Sequence, residues 1–154
     1  MQCKNFDKAN LDECVSLYID VFSKELWCEQ NCPKKIKEYF LMLLEMNTFL
    51  GFMLVKDSQI IGVCVGYIKP YTFDDKVAKE YAIEQFFIAY KYQNKGHGKQ
   101  FLESIKTQLK TQYTDINAMI LNTQRKYPAF RFYKCCGFEA LDEYAILACD
   151  IKAD

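Results

Sequence analysis

Along this chain the spacing of hydrophobic positions changes several times, and each change predicts a different element. Met1 to Phe6 reads as an edge strand. Leu11, Cys14, Val15, Tyr18 and Phe22 then recur at three- and four-residue steps, the signature of one helical face, with Asn10 and Glu13 forming a relative of the capping box at its start. A second helix is predicted from Pro33, at its first position, to about Met46, with Ile36, Tyr39, Phe40 and Leu43 facing inward. Thr48 to Lys56 and Gln59 to Lys69 are rich in aliphatic residues and separated by Asp57-Ser58, which reads as a β-hairpin. Tyr71 to Lys79 is expected to be a polar loop, and Glu80 to Ala89 a strand.

The helical period returns from Gly98 to about Gln112, burying Phe101, Leu102, Ile105 and Leu109. Ala118 to Asn122 is a short apolar strand, and a helix from about Pro128 to Cys136 should stop at Gly137, a natural left-handed cap. Tyr144 to Ile151 is expected to close the sheet. The resulting order, β-α-α-β-β-β-α-β-α-β, is that of an α+β fold.

Composition narrows the classes. With 154 residues, 51% of them hydrophobic, the chain has material for one well-buried core, so residues 1–154 are expected to be a single domain. Its 20 basic and 20 acidic residues balance, which argues against nucleic acid or an anionic membrane as partner, since those affinities come from a basic surface. Met1 to Asn10 has no apolar core of signal-peptide type, and apolar runs such as Tyr39 to Leu44 fall far short of a bilayer span, so a cytoplasmic protein is expected. The eight cysteines are scattered through apolar patterns and read as mostly reduced, buried residues. Cys28 and Cys32 have neighbourly spacing, but with one histidine in the chain and Cys135-Cys136 diverging on a helix, no metal site is expected.

The candidate chemistry lies at Gln93-Asn94-Lys95-Gly96-His97-Gly98, between the apolar run Ile83 to Ala89 and an amphipathic helix. A strand, a glycine-bearing turn and a helix in that order let successive N–H groups converge on an anion, with the positive end of the helix behind them and Lys95 and Lys99 adding charge. Two glycines after a strand are also an ordinary turn. The segment is neither a dinucleotide fingerprint, because the third glycine is missing, nor a Walker A loop, because no G-K-[ST] follows.

This loop resembles the acyl-CoA pyrophosphate loop of the GNAT N-acetyltransferase superfamily, Q/R-x-x-G-x-G/A, with every fixed position filled. A second stretch, Ala129 to Phe138, is similar to the family's A-x-x-F-Y-x-x-x-G-F ending, and the element order resembles that fold from about Lys4 to Ile151. The resemblance implies a GNAT-type mixed, mostly antiparallel sheet flanked by about four helices, and acetyl transfer from acetyl-CoA to a primary amine. It implies that the cosubstrate's pantetheine arm lies along Phe86, Phe87 and Ile88, and its pyrophosphate on Gln93, Asn94, Lys95, Gly96, His97, Gly98 and Lys99. Tyr133, in the F-Y motif, is implied as the acid that protonates the leaving thiolate. Glu84, a carboxylate interrupting an apolar strand, is the candidate base; a solvated strand residue would have the same pattern. The family's frequent asparagine before A-x-x-F-Y is replaced by Lys126, with Asn122 nearby.

The acceptor is less determined. The resemblance points to the first two helices and the loop after the third strand, here Trp27 and the region of Tyr67 and Tyr71. Ile83-Glu84-Gln85-Phe86 resembles the I-D-Q-F run of aminoglycoside N-acetyltransferases, making a small cationic amine, of aminoglycoside or polyamine type, the first expectation. A peptide or protein amine, or a module that binds acetyl-CoA without turnover, stays open, as does a homodimer.

Overall fold

A computed structural model describes residues 1–151, with the side chain of Phe73 left aside. The chain forms two compact units, Met1–Asn122 and Thr123–Asp154, each described by itself below.

The first unit contains a five-stranded sheet in sequential order, β1 (Gln2–Asn5), β2 (Phe49–Lys56), β3 (Gln59–Phe73), β4 (Lys76–Ile88) and β5 (Ile116–Leu121). The first four strands are antiparallel and β5 joins β4 in parallel. The predicted hairpin forms at Asp57 and Ser58, which take φ of 49° and 62°, the left-handed pair required by a tight two-residue turn.

The expected polar loop over Tyr71 to Lys79 is instead a second hairpin. Asp74 and Asp75 adopt φ of 45° and 62°, and β3 and β4 stay paired up to Phe73 opposite Lys76. Turn chemistry was present in the Asp-Asp pair, but the polar residues around it hid strands that extend beyond the packed core and face solvent. Here an ion pair between Lys69 and Glu80, at 2.9 Å, links the ladder.

On one face of the sheet lie α1 (Leu11–Phe22) and α2 (Pro33–Leu44). Leu11, Cys14, Val15, Tyr18 and Val21 of α1 and Phe40 and Leu43 of α2 bury themselves against Met53, Val63, Val65 and Phe87. Fully buried Phe40 alone removes enough apolar surface from water to stabilise the fold by about 1.5–3 kcal/mol. The capping box expected for α1 does not form: Asn10 makes no side-chain cap, and the Glu13 carboxylate accepts the Ile60 N–H at 3.2 Å, pinning α1 to the start of β3. A one-turn 3-10 segment, Lys8–Asn10, precedes the helix, and its cap is Asp7.

On the other face Tyr81 is buried with Phe52 and Cys64, donating its hydroxyl to the Leu50 carbonyl at 2.9 Å. The long helix α3 (His97–Gln112) buries Phe101, Leu102, Ile105 and Leu109 as the periodicity predicts. Phe101 stacks on Phe86 of β4, ring centroids 5.5 Å apart.

The second unit holds α4 (Pro128–Cys135), closed by a Schellman motif. The Phe138 N–H bonds the Tyr133 carbonyl at 3.0 Å, the Gly137 N–H bonds the Lys134 carbonyl at 3.1 Å, and the rings of Tyr133 and Phe138 meet at 5.5 Å. The strand expected over Tyr144 to Ile151 is not formed. The Tyr144 N–H closes a turn on Leu141, and Ile146 and Leu147 are 75% and 91% exposed. Apolar composition is no substitute for a ladder partner to take up the backbone groups.

All eight cysteines are free, but they are not mostly buried: Cys14, Cys64 and Cys136 are, whereas Cys28, Cys32, Cys135 and Cys149 are exposed. Exposed Cys28 lies in the turn after α1 and Cys32 caps α2, positions outside the helical stripes that a pattern of burial reads.

Candidate active site

The site begins with a break in strand regularity. Consecutive residues Val65 and Gly66 of β3 face Gln85 and Ile83 of β4, so Glu84 is the extra residue of a β-bulge. The bulge explains the facing of the whole strand. Tyr81 and Phe86 are five apart yet both turn away from the α1 and α2 layer, which a regular strand of period two forbids. Gly66 makes the bulge possible, because a Cβ there would stand 2.0 Å from the Ala82 carbonyl oxygen.

Beyond the bulge, β4 has one partner only. Its parallel pairing with β5 ends at Ile83 opposite Leu121, while β3 pairs it through to Ile88. Phe86 and Ile88 therefore carry backbone groups on an edge with no strand beside it among the described residues, whereas those of Phe87, like the Ala89 N–H that bonds the Ile61 carbonyl, face β3. Their side chains are committed elsewhere: Phe86 to Phe101, and Phe87 to Tyr18 and Phe22 at 5.5 and 5.9 Å. Rings packed on both faces hold that backbone still, and an extended ligand can add to the edge as a strand does.

The strand runs directly into the glycine loop. Asn94 and Gly96 take φ of 57° and 81°, and the N-terminus of α3 has no side-chain cap, so the first N–H groups of the helix remain for a ligand. A Cβ built on Gly96 meets nothing within 4 Å. The space it faces is open, and an open pocket of about 560 Å³ borders Gly96, Lys99 and Gln100. Met1, Glu103 and Ser104 complete its lining, so a carboxylate borders it as well as the Lys99 ammonium.

The predicted loop residues divide by role. The Gln93 amide donates back to the Ile88 carbonyl at 2.9 Å, and the Lys95 ammonium donates to the Lys91 carbonyl at 2.7 Å. Both side chains thus shape the loop, and the Gln93 amide takes up the carbonyl at the end of the β4 edge. His97 packs edge-on to Tyr92 at 5.7 Å, and its buried Nδ1 has no hydrogen-bond partner among the described residues. Lys99 lines the pocket and is the cation placed beside it. Gly98 is the second residue of α3, where the lack of a side chain leaves the first turn uncovered.

Glu84 is exposed. Its charge reaches the Tyr39 phenol of α2, whose pKa is raised first by burial and also by Glu84, against a lowering by the Gln85 amide that donates to its oxygen at 3.3 Å. The strand thus presents Glu84 and Gln85 together toward α2. Trp27 is half-buried in the turn after α1, its ring 5.4 Å from Phe22. Tyr67 and Tyr71 are half-buried on β3 and, by alternation, share the face of Val63 and Val65. Sequence reading placed Tyr39 only as a core position of its helix and used Gln85 only as part of the Ile83-Glu84-Gln85-Phe86 run; helical spacing shows which residues face inward, not which hydroxyl ends beside a bulge.

In the second unit, half-buried Tyr133 contacts Phe132 and Phe138, and Lys126 lies over the ring of Tyr127 at 5.2 Å. Among the described residues no group of three or more His, Cys, Asp or Glu is placed to hold a metal ion, and no helix is long and apolar enough to cross a membrane.

A mostly antiparallel sheet with a bulged fourth strand that feeds a glycine loop and helix invites comparison with known folds. The family model for the acetyltransferase (GNAT) family matches residues 13–138, and the chain belongs to that family. Among solved structures, a possible acetyltransferase from Clostridium difficile 630 is similar with a TM-score of 0.80 at 13% identity, covering 99% of this chain and 98% of that one. An aminoglycoside antibiotic 6'-N-acetyltransferase from Acinetobacter haemolyticus is similar with a TM-score of 0.75 at 13% identity over 100% of both chains. AAC(6')-Iy in complex with the bisubstrate analogue CoA-S-monomethyl-acetylneamine is similar with a TM-score of 0.73 at 12% identity, covering 99% and 98%. No curated protein sequence matches the chain.

Proposed function

We propose that this enzyme moves the acetyl group of acetyl-CoA to a primary amine by direct attack, and that the acceptor is a small cationic amine. The observation that carries the reading is the continuous path from the open edge of β4 at Phe86 to Ile88 into the uncapped N-terminus of α3. The edge offers backbone groups to the pantetheine arm and an N–H to the thioester oxygen as charge gathers there. The loop offers N–H groups and Lys99 to the pyrophosphate.

As the amine nitrogen bonds to the carbonyl carbon, the C–S bond breaks and the sulfur leaves with its electron pair. The nitrogen must shed a proton and the thiolate gains one. Glu84, exposed at the bulge beside the edge, is suited to take the amine proton, directly or through one water. Tyr133 is assigned the donation to sulfur on the strength of its motif, because a phenol with a pKa near 10 can protonate a thiolate whose conjugate acid is near 8.5. A cationic acceptor is favoured by the Glu84 carboxylate and by two structural neighbours, one an aminoglycoside N-acetyltransferase and the other bound to an acetylneamine bisubstrate analogue. Use of acetyl-CoA and four exposed free cysteines fit a reducing cytoplasm.

The test is release of free thiol from acetyl-CoA by purified protein against a panel of monoamines, polyamines, aminoglycosides and peptides. Acetylation confined to peptides would move the acceptor to the protein class, and thiol release with none of them would refute the enzymatic reading.

A further inference from the structure

Resting on that reading, two further polar groups at the bulge bear on how the acceptor nitrogen is aimed. Tyr81 and Phe86 lie on the α3 face of the sheet, and Phe87 turns to the face of α1 and α2. Alternation puts Ile83 on the side of Tyr81, so Glu84 after it and Gln85 before Phe86 both turn toward α1 and α2, as the two residues of a bulge can. There the Gln85 amide donates to the hydroxyl oxygen of Tyr39, on α2, at 3.3 Å. Val65, opposite Gln85 in the ladder, and Phe87 belong to the apolar core. The amide and the phenol are thus a polar pair set into the rim of a hydrophobic face, beside the one point where β4 loses a partner.

Tyr39 is also held from behind. It is half-buried, and its ring meets that of fully buried Phe40 edge-on at 5.8 Å. Its oxygen accepts the Gln85 amide and makes no other hydrogen bond among the described residues, so one lone pair and the phenol proton stay open on the face that Glu84 shares. Burial raises its pKa above the ordinary value, against a lowering by the Gln85 amide and with the Glu84 charge raising it further. Near neutral pH it is therefore an uncharged phenol, able to accept an N–H without competing for its proton.

We propose that the Tyr39 oxygen binds one N–H of the acceptor amine while Glu84 receives another, and that Gln85 is the positioning residue that sets Tyr39 for this. Two acceptors on one nitrogen fix its direction, so the lone pair released when Glu84 takes the proton points at the thioester carbon. Tyr39 keeps its own proton throughout, and the N–H it holds stays on the nitrogen in the amide product.

The test follows amine binding and turnover separately in wild type, Tyr39→Phe, Gln85→Leu and the double variant, with kanamycin and spermidine as probes and thermal melts beside them. Calorimetry on the CoA complex, which has no acetyl group to transfer, reads binding of the amine alone. Tyr39→Phe should weaken the better-bound amine by about tenfold, the order of one hydrogen bond to a charged group. It should lower kcat by about ten- to a hundredfold through misplacement of the nitrogen, with CoA affinity as in wild type. Gln85→Leu should lose part of both, and the double variant no more than Tyr39→Phe alone, because Gln85 acts through that hydroxyl. Should Tyr39→Phe melt below the assay temperature, the losses in Gln85→Leu decide by themselves. A merely structural pair would lower the melting temperature and leave amine affinity and kcat unchanged. That result, losses that simply add in the double variant, or no binding of either amine to the wild-type CoA complex would overturn the assignment. Amine binding that weakens in Tyr39→Phe, with no thiol released from acetyl-CoA by wild type, would uphold the hold on the amine and instead count against acetyl transfer.

Discussion

Gly96→Asp separates the donor site from the fold better than any other single change. At φ 81° the new residue pays left-handed strain of about 1–2 kcal/mol, but its Cβ meets no protein atom within 4 Å. For a chain of this length that strain corresponds to a fall in Tm of roughly 2–8 °C, leaving a folded protein. Near a bound pyrophosphate the same side chain sets a carboxylate against phosphate charge. At about 4 Å and an effective dielectric of about 20 each such pair costs about 4 kcal/mol. Salt screening that halves it still leaves about 2 kcal/mol, or about 30-fold weaker binding. Gly96→Ala carries the strain without the charge and should lose only a few-fold. Titration calorimetry with CoA, beside thermal melts of all three proteins, measures both quantities. A folded Gly96→Asp protein with wild-type affinity for CoA would remove the loop from the donor site.

Tyr133→Phe keeps the ring contacts with Phe132 and Phe138 and removes only the hydroxyl, so CoA binding should persist while turnover falls by about one to three orders of magnitude; wild-type turnover would end its assignment as the acid. Glu84→Gln should lower kcat/KM most near neutral pH and recover part of the loss at higher pH, where the amine is already free of its proton, and a profile unchanged from wild type would leave Glu84 a surface residue. Tyr81→Phe leaves the buried Leu50 carbonyl without its 2.9 Å bond and should cost about 1–3 kcal/mol, read as a lower urea midpoint at an unchanged slope; an unshifted midpoint would contradict the role given to that hydroxyl.

Much of this arrangement was written locally. The helical stripes of α1 and α3, the Asp57-Ser58 turn, Pro33 at the head of α2 and the glycine loop each depend on neighbours in sequence, and each stands where the pattern put it. The F-Y-x-x-x-G-F run turned out to carry a structural demand as well, since Tyr133 and Phe138 are the touching pair of a Schellman cap. What failed to show was non-local. The bulge at Glu84 arises from register between β3 and β4, and Gly66, whose missing Cβ permits it, gave no signal by itself. Glu13 had two competing partners, the helix cap and the distant Ile60 amide, and tertiary structure chose the second. Tyr144 to Ile151 had the composition of a strand, but pairing needs an edge that composition does not name.

The central claim is acetyl transfer at the open edge of β4, and following both products of one reaction tests it most directly. Purified protein is incubated with acetyl-CoA and the amine that the panel selects, with free thiol read by absorbance and acetylated amine by mass spectrometry. The account predicts one N-acetylated amine for each thiol released, and loss of both signals together in Gly96→Asp at sub-saturating acetyl-CoA. Thiol released without acetylated amine, or no turnover of any amine by a protein that binds CoA, would contradict it.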